Sequence, residues 1–279
     1  MFGFALAAKE STDFGRHYAT FLSQIGVPVM ESADGRWRFN IEPREGAQAM
    51  AFILGLRDAS PPECIVSDDA DALRQFRAGR SAMVIAGPES LIGPPGGAEL
   101  KIGVADLPLP ADGVPRCDVE FRHFVVPGYV RGRRKDAAAR FLQFVAGRRG
   151  QELVAAGLDE ERPVVAVRTD VLGGERYRSD PRLAAFARAV GRGAPVLPAY
   201  IWEGRCSKDW IGTLHRILLR DDPSPRLIRE LVFLSQERGN EALSCRHTEI
   251  GHPSATTALG MSLLGVLVFV AVAYAVARH

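Results

Sequence analysis

Short apolar stretches alternate with amphipathic helical segments along most of this chain, and glycine or proline closes many of them. That rhythm constrains the fold more than any other feature. A strand of a few apolar residues needs burial in a sheet, and a one-sided helix needs a sheet or another helix to cover. Strand-like stretches fall at 36–41, after the Asp34-Gly35 turn, and at 82–86, 101–107 and 121–126. The first helix is marked by Phe14, Tyr18, Phe21, Leu22 and Ile25, with Gly26 as its stop. A second, 43–57, puts Ala47, Met50, Ala51 and Leu54 on one face. A third, 68–78, has Ser67 as its expected N-cap and Gly79 as its end. Beyond Pro127 the pattern predicts helices at 136–146, 150–156, 181–190, 207–219 and 225–237. Together they predict an α/β fold, a mixed sheet flanked by helices, with no internal repeat.

Charge and motif content exclude several functions. A net charge of +2 gives no electrostatic case for nucleic acid. The basic run Arg131, Arg133, Arg134 and Lys135 suits a solvated helix entry. Cys64, Cys117, Cys206 and Cys245 form no C-x-x-C pair and match no zinc spacing, although disulfides are compatible with export. The chain has no H-E-x-x-H, G-x-S-x-G, phosphate loop or G-x-G-x-x-G. Asp68 and Asp69 fit the start of a helix dipole better than acid–base work, and His17 and His123 show no metal-ligand spacing. The expectation is a protein that is not an enzyme and uses no cofactor or metal.

The two ends differ. Residues 1–9 lack the basic and apolar regions of a secretory signal peptide. From Ala258 to Ala277 run 20 residues without a charge, about 30 Å as a helix, enough to cross the hydrocarbon core. The sequence therefore predicts a transmembrane helix over 256–277, joined to the globular part by a polar linker at 244–255. The Lys/Arg distribution around it does not orient it.

Within this pattern lies a run with a familial look. F-R-A-G-R-S-A-M-V-I-A-G-P at 76–88, G-V-A-D-L-P at 103–108 and A-A-A-R-F-L-Q-F at 137–144 follow one another in an order that resembles the solute-binding proteins of ABC importers, in their maltose-type branch. G-F-A-L at 3–6 resembles the segment that opens that family's second lobe. Q-E-L-V-A-A-G at 151–157, R-P-V-V-A at 162–166, D-P-R-L-A-A at 180–185, P-V-L-P at 195–198 and the closing helix of 223–243 extend the resemblance over roughly residues 1–243.

The resemblance implies a periplasmic-binding-protein-like (class II) lobe. Residues 1–122 and 181–243 would form a second lobe, and 124–180 an orphaned segment of the first. The apolar residues Phe124, Val125 and Val126, with the helix face of Phe141, Phe144 and Val145, would then lack the sheet they normally pack on and expose a patch. This suggests a split or incomplete product whose other part lies upstream or in another chain.

The resemblance also nominates ligand contacts. Trp210, opening a helix, is placed to stack on a sugar ring, or else belongs to the core. Glu89 stands where the family often has tryptophan after Gly87-Pro88, and Glu120 and Phe121 where it often has a Gly-Gly pair. These contact a ligand or have only a structural use. Tyr200 and Trp202 line the cleft or anchor a loop, and Trp37 reads as packing. The implied function is the substrate-binding component of an ABC-type sugar importer, which binds a carbohydrate or similar polar solute non-covalently and hands it to the permease subunits. Its binding region would be extracytoplasmic and anchored at 256–277. The alternatives are a membrane-tethered sensor or interaction module and a non-functional remnant.

Overall fold

Five consecutive buried residues, Phe4 to Ala8, run as an extended segment between two partners. The computed structural model describes residues 1–33, 36–91, 101–119, 124–156, 165–193 and 205–249. On one side Phe2 N and Ala5 N each donate 2.8 Å hydrogen bonds, to Arg80 O and Met83 O. Parallel bridges pair Phe2 with Ser81 and Ala5 with Val84. On the other side Phe4 N donates to Ala59 O, Leu6 N to Ser60 Oγ and Ala8 N to Cys64 O. A segment buried this deeply must pair its backbone on both edges, and the hairpin-free stretch 59–67 supplies the second edge.

The elements in order are α1 (Thr12–Gln24), the hairpin strands β1 (Met30–Ala33) and β2 (Arg36–Phe39), α2 (Pro43–Asp58), α3 (Asp69–Arg77), α4 (Gly132–Ala146), α5 (Arg148–Ala156), α6 (Thr169–Leu172), α7 (Glu175–Ser179), α8 (Pro181–Arg192), α9 (Arg205–Leu218) and α10 (Pro225–Glu249). Short 3₁₀ turns occupy Pro62–Val66 and Pro88–Leu91. The main core joins the N-terminal region, 4–64, with α9 and α10. Phe14, Tyr18, Phe21, Met50 and Ile53 pack with Trp210, Leu214, Ile217 and Val232. Arg57 locks this closure. Its guanidinium donates to Leu218 O at 3.0 Å and Arg220 O at 2.6 Å, capping the carbonyl end of α9. Asn240 on α10 reads the backbone of β2 in both directions, accepting from Phe39 N at 2.7 Å and donating to Phe39 O at 3.1 Å. Gln236 accepts from Ile41 N at 2.6 Å.

A smaller cluster, Ala155, Ala166, Val171, Tyr177 and Leu183, is built from α5 to α8. Ala166 N donates to Tyr177 Oη, and Gln151 bridges Val167 N and Val145 O. The segment 101–119 straps this part to the main core. Val114 N donates to Gln24 O and Arg16 pairs with Asp118 at 2.7 Å, while Arg192 pairs with Asp106 at 3.0 Å and Cys117 Sγ donates to Ala189 O. No residue of α4 is buried.

Several expectations are corrected. Among the described residues, regular strand pairing is confined to the β1–β2 hairpin and the two parallel bridges, so the mixed sheet is sparse and the architecture helix-rich. Residues 82–86 lie on the outside of that pairing, with Met83 exposed, and 101–107 form a strap without strand structure. Residues 121–123 lie outside the described residues. The N-cap of α3 is Asp68 rather than Ser67. Its carboxylate accepts from Asp71 N, and Asp71 reaches back to Asp68 N, a reciprocal capping box; Ser67 donates to Glu63 O instead. α10 continues to Glu249, into the predicted linker. No helix of the described residues is long and apolar enough to cross a membrane, and the predicted span 256–277 lies outside them. Cys64 and Cys117 are free thiols, and burial pushes Cys64 up to about 11.

Two glycines of α2 separate packing from propensity. A Cβ on Gly46 would lie 2.5 Å from Val232 Cγ1 and 2.8 Å from both Ile41 Cγ2 and Tyr18 Oη, whereas nothing lies within 4 Å of one on exposed Gly55. Gly46→Ala is expected to destabilise by about 1–3 kcal/mol, and Gly55→Ala to stabilise by about 0.5–1 kcal/mol. Urea unfolding of the two variants checks this, and equal effects would contradict the close approach at Gly46.

Candidate functional site

Both extended segments run the same way, so their carboxyl ends open on one rim. In open α/β folds ligands sit beyond the carboxyl ends of the strands. Here the first segment passes through Lys9, Glu10 and Ser11 into α1, and the second through Gly87 and Pro88 into a 3₁₀ turn. Ser90 Oγ donates to Gly87 O at 2.8 Å and fixes that turn. The start of α3 adds Asp68 and Asp69. Lys9 Nζ lies 3.7 Å from Asp68, and Asp69 N donates to Asp13 at 3.4 Å. Hydrogen bonding from the Asp71 backbone N–H holds the Asp68 carboxyl below the usual range. Glu10 packs on α9, where a Cβ at Gly212 would meet its Oε1 at 2.8 Å. The rim therefore carries Lys9, Glu10, Asp13 and Asp68, a mixed set of donors and acceptors suited to hydroxyl groups.

His17 lies under this rim, its Nε2 3.5 Å from Asp69 Oδ1. Burial lowers its pKa to about 4, although the Asp13 carboxylate pulls the other way. It is neutral at pH 7.

A second concavity, about 520 Å³, lies between the strap and the start of α8. Ile102, Gly103 and Val104 form one wall; Ser179, Asp180, Pro181 and Arg182 form the other. Asp180 caps α8 by accepting from Arg182 N at 2.8 Å, and also holds the Arg182 guanidinium at 2.7 Å. That guanidinium keeps the Asp180 carboxyl below its ordinary range. An apolar wall facing an ordered ion pair is a small amphipathic groove within the volume range of ligand pockets. Sequence reasoning missed it. The D-P-R at 180–182 carried the signal, but aspartate before proline reads first as a helix cap.

The nominated contacts fall as follows. Trp210 is 1% exposed and lies in the main core, its ring 5.1 Å from Phe39 and 5.9 Å from Tyr18 between centroids. It offers no face for stacking in this conformation, because the face that leaves α9 is the one that closes the core. Its Nε1–H has no acceptor among the described residues. Glu89 is in the 3₁₀ turn on the rim, and its side chain lies outside the described residues. Glu120, Phe121, Tyr200 and Trp202 also lie outside the described residues. Trp37 packs at the edge of the main core.

No protein-family model matches the chain, and no curated protein sequence does. Solved structures do. Maltose-bound MalE3 of T. maritima superposes with a TM-score of 0.60 at 17% identity, over 85% of this chain and 60% of that one. The maltose/maltodextrin-binding domain MalE of Bdellovibrio bacteriovorus, bound to maltotriose, gives 0.57 at 17%, over 87% and 60%. A cyclo/maltodextrin-binding protein complexed with maltotetraose gives 0.56 at 18%, over 82% and 58%. The fold is thus of the periplasmic-binding-protein type. The chain spans about 60% of the length of the structures it matches.

The buried imidazole sets a pH dependence. His17 titrates near 6.5 in the unfolded chain and near 4 in the fold, so the unfolded chain binds the extra proton between those values. Stability is full above about pH 6.5 and is lost as pH falls toward 4, by up to roughly 3 kcal/mol. Urea unfolding at pH 7 and pH 4.5 is expected to show this loss, and His17→Leu to flatten it. An unchanged slope in the variant would assign the acid sensitivity to other groups.

Proposed function

We propose that this chain is the substrate-binding component of an ABC-type sugar importer, binding a carbohydrate or similar small polar solute and presenting it to a membrane permease. One observation carries the reading. The fold is shared over 85% of the chain with a protein whose structure holds maltose, and proteins bound to maltotriose and maltotetraose share it as well. The groove at 102–104 and 179–182 supports it chemically. Ile102 and Val104 suit the C–H face of a sugar ring, and Asp180 with Arg182 suits its hydroxyls. In this reading binding is non-covalent, no bond of the solute is broken, and the span at 256–277 tethers the binding region close to the permease on the extracytoplasmic side.

A second reading, a membrane-tethered interaction module or a remnant that takes no sugar, draws on one specific observation, the burial of Trp210.

Titration calorimetry of the full chain against maltose, maltotriose and maltotetraose distinguishes the two. Saturable heat is expected from at least one of them. Arg182→Ala is expected to weaken binding about 10- to 100-fold, the usual cost of losing a charged hydrogen bond. A folded circular-dichroism spectrum with no heat from any of the sugars would remove the importer reading.

A further inference from the structure

One wall of the groove is held far more lightly than the other. The polar wall is the first turn of α8, seated by Leu183 in the smaller cluster. There Asp180 caps the backbone and fixes the Arg182 guanidinium. The apolar wall, 102–104, belongs to a stretch with little to hold it. Ile102, Val104 and Leu107 are half-buried, and the residues between them are exposed. From Lys101 to Leu109, the one hydrogen bond or ion pair among the described residues joins Asp106 to Arg192, at 3.0 Å.

Arg192 closes α8. It stands about 15 Å from Arg182 along the same helix axis, and a cation in the last turn also complements the helix dipole. Neither Arg192 nor Asp106 lines the groove. Asp106 lies just beyond Val104 in the chain, so a shift of one carries the other with it. One helix therefore presents the polar wall at its first turn and holds the apolar wall from its last. Both partners of the pair are half exposed. An exposed ion pair shifts an equilibrium by up to about fivefold, and among the described residues no second polar contact of this stretch stands in for it.

We propose that Arg192 is a positioning residue for the solute. Through Asp106 it seats residues 102–104 opposite Arg182, and so sets the affinity of the groove without touching what binds there. This rests on the reading of the groove as the solute site.

The test exchanges the two charges in the full chain. Arg192→Asp sets two carboxylates against each other and Asp106→Arg two guanidinium groups, while the double variant rebuilds the pair in reverse. Calorimetry uses whichever of maltose, maltotriose and maltotetraose the unaltered chain binds most tightly. Each single variant is expected to bind it about fivefold more weakly, and the double variant to return within twofold of the unaltered chain, all with one urea midpoint. A second readout needs no sugar. Lys101 is exposed at the start of the wall, so the single variants should be cut after Lys101 by endoproteinase Lys-C at least threefold faster, and the double variant at the original rate. Cleavage after Lys135, exposed on α4, should not change. Sugar binding that is equal in all four chains, or that the reversed pair fails to restore, would overturn the proposal and leave the importer reading standing. No heat from any sugar in the unaltered chain, with cleavage after Lys101 still following the pair, would instead remove the reading of the groove and the role of Arg192 with it.

Discussion

The fold depends on a single junction where Tyr18, Phe39, Gly46, Trp210 and Val232 meet. Tyr18 Oη donates to Gly46 O at 3.2 Å, the Trp210 ring lies against both Tyr18 and Phe39, and the bare Cα of Gly46 lets Val232 approach. These residues come from α1, β2, α2, α9 and α10, so more than half of the elements that hold the main core meet within one contact shell. The Tyr18 hydroxyl pKa rises because burial disfavours its anion, which keeps it a donor to Gly46. Long-range closure of this kind costs chain entropy that only a dense aromatic junction repays.

That junction explains why the tryptophan most suited to a sugar stack is withdrawn from one. α9 reaches the core only by turning its aromatic face inward, and the Arg57 cap fixes the helix end that does so. A residue cannot both close the core and present a bare ring to solvent. The polar rim is left to short side chains at the carboxyl ends of the extended segments and at the start of α3, where the carboxylates of Asp13 and Asp68 hold the backbone N–H groups of Asp69 and Asp71 as much as they face outward.

Helix positions were legible because their signals are local. Glycine stops after α1 and α3, proline at the first positions of α2, α8 and α10, and apolar periodicity placed the starts of the longer helices within a few residues, whereas α10 runs twelve residues past its predicted end at 237 and the short helices α6 and α7 carry too few residues to show a period. The hairpin β1–β2 was half legible, since β1, M-E-S-A, has no alternating pattern and is held by its partner strand rather than by its own composition. Residues 101–107 read as strand because they are apolar, yet they belong to a strap, 101–119, whose hydrogen bonds go to side chains and backbone carbonyls of α1, α2 and α8. Sequence alone carries no trace of such bonding. The site was less legible for the same reason. Asp180 and Arg182 look like a helix start, and only the approach of Ile102 and Val104 makes them one wall of a groove.

The position of that groove follows from how the two cores are joined. One wall belongs to the strap, tied to α1 through Gln24 and Arg16. The other is the first turn of α8, whose Leu183 belongs to the smaller cluster. The strap also reaches α8 through Asp106 and Cys117, a few polar bonds rather than a shared apolar core. A solute lodged between these walls touches parts that pack independently, so its binding energy depends on their relative placement, and any shift it causes is limited by its differential affinity for the two arrangements. Polar bonds are cheap to exchange for one another in water, which makes a strap held by them the part of this fold best able to move with a ligand.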